Sequence, residues 1–136
     1  MIQHTSEVAG QPVTINVVEH EDDLEGFRNF IRANLRFLGL DSETTGLDIY
    51  NNGFRCRLVQ FGNTTESWVV PVELGPRFQE DVRMALRGVQ GFVLHTASYD
   101  LQVFEQTLGV SMSLMWPKVY DTKILAHLVD PRGKED

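Results

Sequence analysis

The run Phe37-Leu38-Gly39-Leu40, wholly apolar and then cut off by Asp41-Ser42-Glu43-Thr44-Thr45-Gly46, constrains this chain more than any other stretch. It is too short for a helix and shows no polar alternation, so it reads as a strand covered on both faces and central in its sheet. On an extended strand residues i and i+2 point the same way, and Asp41 and Glu43 therefore project together. Two adjacent carboxylates repel unless a cation or a proton lies between them. Hard oxygen donors of this type suit Mg²⁺ or Mn²⁺ better than zinc. The carboxyl end of an α/β sheet is also where ligands gather. Taken alone, the same acids equally suit a solvated strand end with helix-capping carboxylates. A chain with 19 acidic residues produces about one such tripeptide by chance.

The surrounding pattern predicts the sheet. Ile2 to Val8 and Val13 to Val18 flank a Gly10-Gln11 turn, which reads as a β-hairpin within the first 20 residues. Leu24, Phe27, Phe30 and Ile31 fall on one helical face, with Asp22 and Glu25 in capping-box spacing. Arg57 to Gly62 and Ser67 to Val72 are strands joined by the Asn63-Thr64-Thr65 turn, which implies an antiparallel meander. Pro76 then opens a helix carrying Phe78, Val82, Ala85 and Leu86, with Gly88 as its stop. Phe92-Val93-Leu94 is a short buried strand, followed by a helix through Leu101, Phe104 and Leu108 that Gly109 ends. Val119-Tyr120 forms a last short strand, and Asp121 or Thr122 caps a final helix that Pro131 closes. The order predicts one α/β domain over residues 1–136, with a mixed sheet, antiparallel first and parallel later, flanked by helices.

A third acid falls in register with this plan. The strand through Leu94 ends at His95, and Asp100 lies in the opening turn of the next helix, where the helix dipole favours an ionised carboxylate. Asp100 is either an ordinary first-turn acid or, if the two strands are sheet neighbours, a partner of Asp41 and Glu43. The net charge of −7 and pI near 5.0 exclude a general polyanion-coating surface, so any nucleic-acid contact is local. The single cysteine, Cys56, excludes an internal disulfide and fits a reducing, cytoplasmic compartment. No signal peptide is visible, and no apolar run approaches the roughly 20 residues of a membrane span. The four histidines show no zinc spacing. Met112, Met115 and Trp116 read as packing, and Arg55 and Arg57 as strand-edge charges within reach of a phosphate backbone.

Together these residues resemble the DEDD-type 3′→5′ exonucleases, and among them the proofreading domains of family A DNA polymerases. Asp41-Ser42-Glu43-Thr44-Thr45-Gly46-Leu47 is similar to the family's first motif, His95 to Leu101 to its second, and Asp121-Thr122 through Asp130-Pro131 to its later helix. The resemblance covers about Val13 to Pro131 and implies a ribonuclease H-like fold. It further implies two-metal hydrolysis of the phosphodiester at a DNA 3′ end, with two Mg²⁺ or Mn²⁺ ions held by Asp41, Glu43 and Asp100. Thr44 would meet the terminal 3′-OH through its backbone, and Leu47 would wedge against the last bases. Tyr99 stands in the aromatic-Asp pair of the second motif, and Thr96 stands where the family usually has asparagine. The family's fourth carboxylate belongs to a third motif, expected beyond Asp136, with a polymerase domain further along the chain. Two other readings fit the same residues: a catalytically silent DNA-positioning module, and a stand-alone RNA or oligonucleotide exonuclease.

Overall fold

A computed structural model describes residues 1–46 and 48–123 of the 136. Seven strands form one sheet: β1 (Ile2–Val8), β2 (Gln11–Val17), β3 (Leu38–Thr44), β4 (Cys56–Gly62), β5 (Glu66–Val70), β6 (Phe92–Leu94) and β7 (Val119–Asp121). Their spatial order is β1-β2-β5-β4-β3-β6-β7. β3, β4 and β5 make the expected antiparallel meander, while β6 and β7 add in parallel on the other side of β3. The N-terminal hairpin joins the far edge through a parallel pairing of β2 with β5, Thr14 opposite Glu66 to Val17 opposite Val69. That pairing has no local sequence signal, because it depends on two segments some fifty residues apart in the chain.

Among the described residues four α-helices accompany the sheet: α1 (Leu24–Ala33), α2 (Pro76–Gly88), α3 (Ala97–Leu108) and the single turn α4 (Met112–Met115). The start of the first helical segment is held by Asp23 rather than Asp22: its Oδ2 accepts from the backbone N–H groups of Glu19 and His20, each at 3.0 Å. Pro76 opens α2, where a missing N–H loses no helical bond. The far end of α2 is closed from a distance. Lys118 donates to the carbonyls of Leu86 at 2.5 Å and Val89 at 2.8 Å, with its ammonium 5.5 Å from the centre of the Phe92 ring. A cation there neutralises the negative end of the helix dipole.

One apolar core joins the helices to the sheet face that carries Leu38, Leu40, Val59, Phe61, Phe92 and Leu94. Its centre is aromatic, with Phe27 of α1 against Phe61 and Trp68, and Phe61 against Phe92. β3 lies in the interior of the sheet, as its apolar run predicts, but only this face is covered by the described helices. The other face, with Gly39, Asp41, Gln60, Gly62, Ser67 and Val93, lines an open depression of about 500 Å³. No described helix is long and apolar enough to cross a membrane.

α1 packs closely on Trp68 at Gly26. A Cβ at Gly26 would lie 2.6 Å from Trp68 Cη2, and that ring is 6% exposed and packed on Phe27 and Phe30. Gly26→Ala is therefore expected to destabilise the fold by about 1–3 kcal/mol through overpacking. Urea denaturation checks this, and an unchanged midpoint would refute it.

Candidate active site

The site is assembled by the parallel pairing of β6 with β3, Leu38 beside Phe92 and Gly39 beside Val93. That pairing aligns the carboxyl ends of the two strands, and α3 starts just after β6, so its first turn returns over the end of β3. Asp100, in that turn, is 5% exposed and accepts a 2.5 Å hydrogen bond from Ser42 Oγ on β3. Burial is the main force on this acid and pushes its pKa up to about 6; the Ser42 hydroxyl and N–H oppose it, and the charges of Asp41 and Asp121 add to it. Asp41 is raised as well, first by partial withdrawal from water, with the Ser42 N–H opposing and the Glu43 charge adding.

Strand alternation sends Asp41 toward the open depression and Ser42 toward α3. Asp41 and Glu43 thus share a side as predicted, while Asp100 reaches β3 through Ser42. Among the described residues, no three His, Cys, Asp or Glu side chains already converge to hold a metal ion. The donor set nevertheless suits a hard divalent cation. It consists of carboxylates alone, and Asp41 and Asp100 are both raised, first by burial and then by the charges of neighbouring acids, a strain that a cation among them would relieve.

Just past Glu43 the ladder slips. Glu43 is paired with Leu58 and Thr44 with Cys56, which leaves Arg57 unmatched on β4. Such a bulge re-aims side chains at a strand end. Thr44 and Tyr99 are joined there: their hydroxyls lie 3.0 Å apart, and both reach the Gly46 carbonyl, at 2.6 and 3.0 Å. The two residues therefore lock the exit of β3 to α3. Leu47 lies outside the described residues, as do the expected helix beyond Lys123 and the Asp130-Pro131 pair.

Thr96 is the N-cap of α3 and adopts φ 57°, ψ 57°. A β-branched side chain is strained in this left-handed region, whereas asparagine tolerates it. Its backbone N–H and that of Ala97 donate to the Asp121 carboxylate, at 3.2 and 2.8 Å. Asp121 also accepts from Lys123 N at 2.9 Å, consistent with the predicted cap of a following helix. No local sequence signal assigns Asp121 to the start of α3. Only the β6–β7 register, Leu94 beside Asp121, brings it there. His95 Nδ1 meets Thr122 Oγ1 at 2.9 Å beside it.

The family model described as 3'-5' exonuclease matches residues 15–132. A DNA polymerase of Mycobacterium phage L5 is 61% identical over 135 residues, 99% of this chain but 23% of that protein, so the chain spans about a quarter of this relative's length. Among solved structures, Escherichia coli RNase D, an exoribonuclease, superposes with a TM-score of 0.66 at 24% identity, over 85% of this chain and 29% of that one. Brucella melitensis NrnC with bound Mg²⁺ gives 0.59 at 21% identity, over 89% of this chain and 54% of that one. The fold is that of the ribonuclease H-like exonuclease domains.

Two substitutions test this arrangement. A carboxyl with a raised folded-state pKa keeps its proton where the unfolded chain has released it, so stability falls as pH rises from about 4 to about 6. In EDTA, Asp100→Asn is expected to raise the melting temperature at pH 8 and to change it little near pH 4; equal effects at both would refute the buried-carboxyl account. Relief of backbone strain is the second. Thr96→Asn should stabilise the chain by about 1 kcal/mol in urea denaturation, and a lower midpoint would show that the threonine side chain is needed in place.

Proposed function

The chain belongs to the 3'-5' exonuclease family, and from that premise we propose that it edits DNA 3′ ends as the exonuclease part of a DNA polymerase. The observation that supports the site is the carboxylate set at the carboxyl end of β3: Asp41 and Glu43 share a side, and the Asp41 charge acts on the buried Asp100. The proposed metal ligands are Asp41, Glu43 and Asp100, for two Mg²⁺ or Mn²⁺ ions. Bound there, the ions would supply charge stabilisation of the transition state and an activated water.

The chain's own residues divide the rest of the work. Asp100 would offer an ion the carboxylate oxygen that Ser42 does not hold, and Ser42 would continue to orient the other. The Thr44–Tyr99–Gly46 contact holds the backbone of the β3 exit rigid, so that Thr44 would present its amide to the terminal 3′-OH. Leu47 would supply an apolar wedge against the last bases, a contact indifferent to sequence. Thr96 would stand at the edge of the substrate path beside the capped start of α3. We propose that residues 1–136 lie in one exonuclease domain of a longer protein that also carries the fourth acid and a polymerase domain. The phage relative's much greater length supports this. A reducing, cytoplasmic setting accords with the buried, unpaired Cys56.

Mn²⁺-dependent release of 3′ nucleotides from single-stranded DNA, measured on the full-length protein, tests the reading. Asp41→Ala should lower the rate at least about a hundredfold, the scale of losing one charge-stabilising group. Activity that survives the substitution would sink the site assignment, and absence of release from the full-length protein would sink the enzyme reading. Parallel DNA and RNA oligonucleotides decide the substrate class.

A further inference from the structure

A second cleft, of about 530 Å³, opens on the helical side of the sheet. It lies between the loop after β3, the short helical turn Val72–Leu74 and the last turn of α3. That volume falls in the range of small-ligand sites and suits one nucleotide unit. Phe54 and buried Val72 provide an apolar floor. Tyr50, 78% exposed, stands in its wall as a free aromatic face. The side-chain amides of Asn52 and Gln106 form no hydrogen bonds with described residues, and Arg55 has no ion pair among them. The acid in the lining, Glu73, is already offset by Arg57 at 3.4 Å. The wall therefore carries one uncommitted cation in a chain of net charge −7.

Its placement ties it to the carboxylates. Arg55 N donates to Thr45 Oγ1 at 2.9 Å and Thr45 N to the Arg55 carbonyl at 3.0 Å. Arg55 is thereby fixed opposite a residue two positions beyond Glu43, roughly 7 Å further along the strand direction. An aromatic face, amides for a base edge and a cation for a phosphate are the combination that grips single-stranded nucleic acid without regard to sequence.

We propose that this cleft is an anchoring subsite for a single strand, taking a nucleotide upstream of the 3′ terminus. Tyr50 stacks on the base, Arg55 holds the adjoining phosphate, and Asn52 and Gln106 meet the base edge. The inference rests on the exonuclease reading and deepens it. Short oligonucleotides engage the terminal site alone, and longer ones gain a second hold.

The test uses the full-length protein and 5′-labelled oligodeoxythymidylates of about 4 and about 12 nucleotides. Tyr50→Ala and Arg55→Ala should each raise KM for the long strand roughly tenfold while kcat and the short-strand KM stay unchanged. In EDTA, fluorescence anisotropy should show the same variants loosening the long strand alone. Arg32→Ala, on α1 away from the cleft, should change neither. Long-strand affinity within twofold of the unsubstituted protein would overturn the proposal, and so would equal losses for both lengths. If no 3′ nucleotide is released from either strand, the exonuclease reading fails, and the length dependence in EDTA still decides the cleft. Both altered side chains are exposed, so melting temperatures should match the unsubstituted protein.

Discussion

The pairing of β6 beside β3 is the constraint on which the rest of the site depends. It has two register pairs, yet it aligns two carboxyl ends and launches α3 back across the end of β3. Ser42 then meets Asp100, Tyr99 meets Thr44, and the α3 start lies within reach of Asp121 on the next parallel strand. Each of these contacts joins residues far apart in the chain. A register slip of one residue at β3 would exchange Ser42 for an acid on the helical face and leave Asp100 facing another negative charge.

The electrostatics run against stability. A nearly buried Asp100 beside the charges of Asp41 and Asp121 is an unfavourable arrangement, held by the apolar core behind it and by the Ser42 hydroxyl. Strain of the backbone at Thr96 adds to it within five residues. Such features persist where the surrounding structure over-determines them, and they gather where a ligand later supplies the missing partner. Carboxylates raised by burial and by neighbouring acids are suited to a divalent cation for the same reason that they are a liability without one.

Much of the fold was legible because its elements are local. Apolar runs bounded by turns gave every strand from β3 to β7 to within a few residues, and the 3.6-residue period gave α1, α2 and α3. Pairings between distant segments were not legible in this way. Nothing near Thr14 announces Glu66 as its neighbour, and nothing near Lys118 announces the end of α2. The capping acid of the first helical segment was displaced by one position, because two neighbouring aspartates satisfy the same pattern and only the approach of Glu19 and His20 selects Asp23.

For this protein the sequence by itself determined that Asp41 and Glu43 share one side of a strand, since side-chain alternation is a property of any extended chain. It also determined that Asp100 opens a helix and that the motifs follow in the order of an exonuclease. Only the tertiary structure decided that Asp100 is buried against Ser42, that Asp121 serves α3, and that Thr96 occupies a left-handed cap. Those outcomes follow from sheet register and from where α3 packs. Both are set by contacts summed over the whole core, and no single segment encodes them.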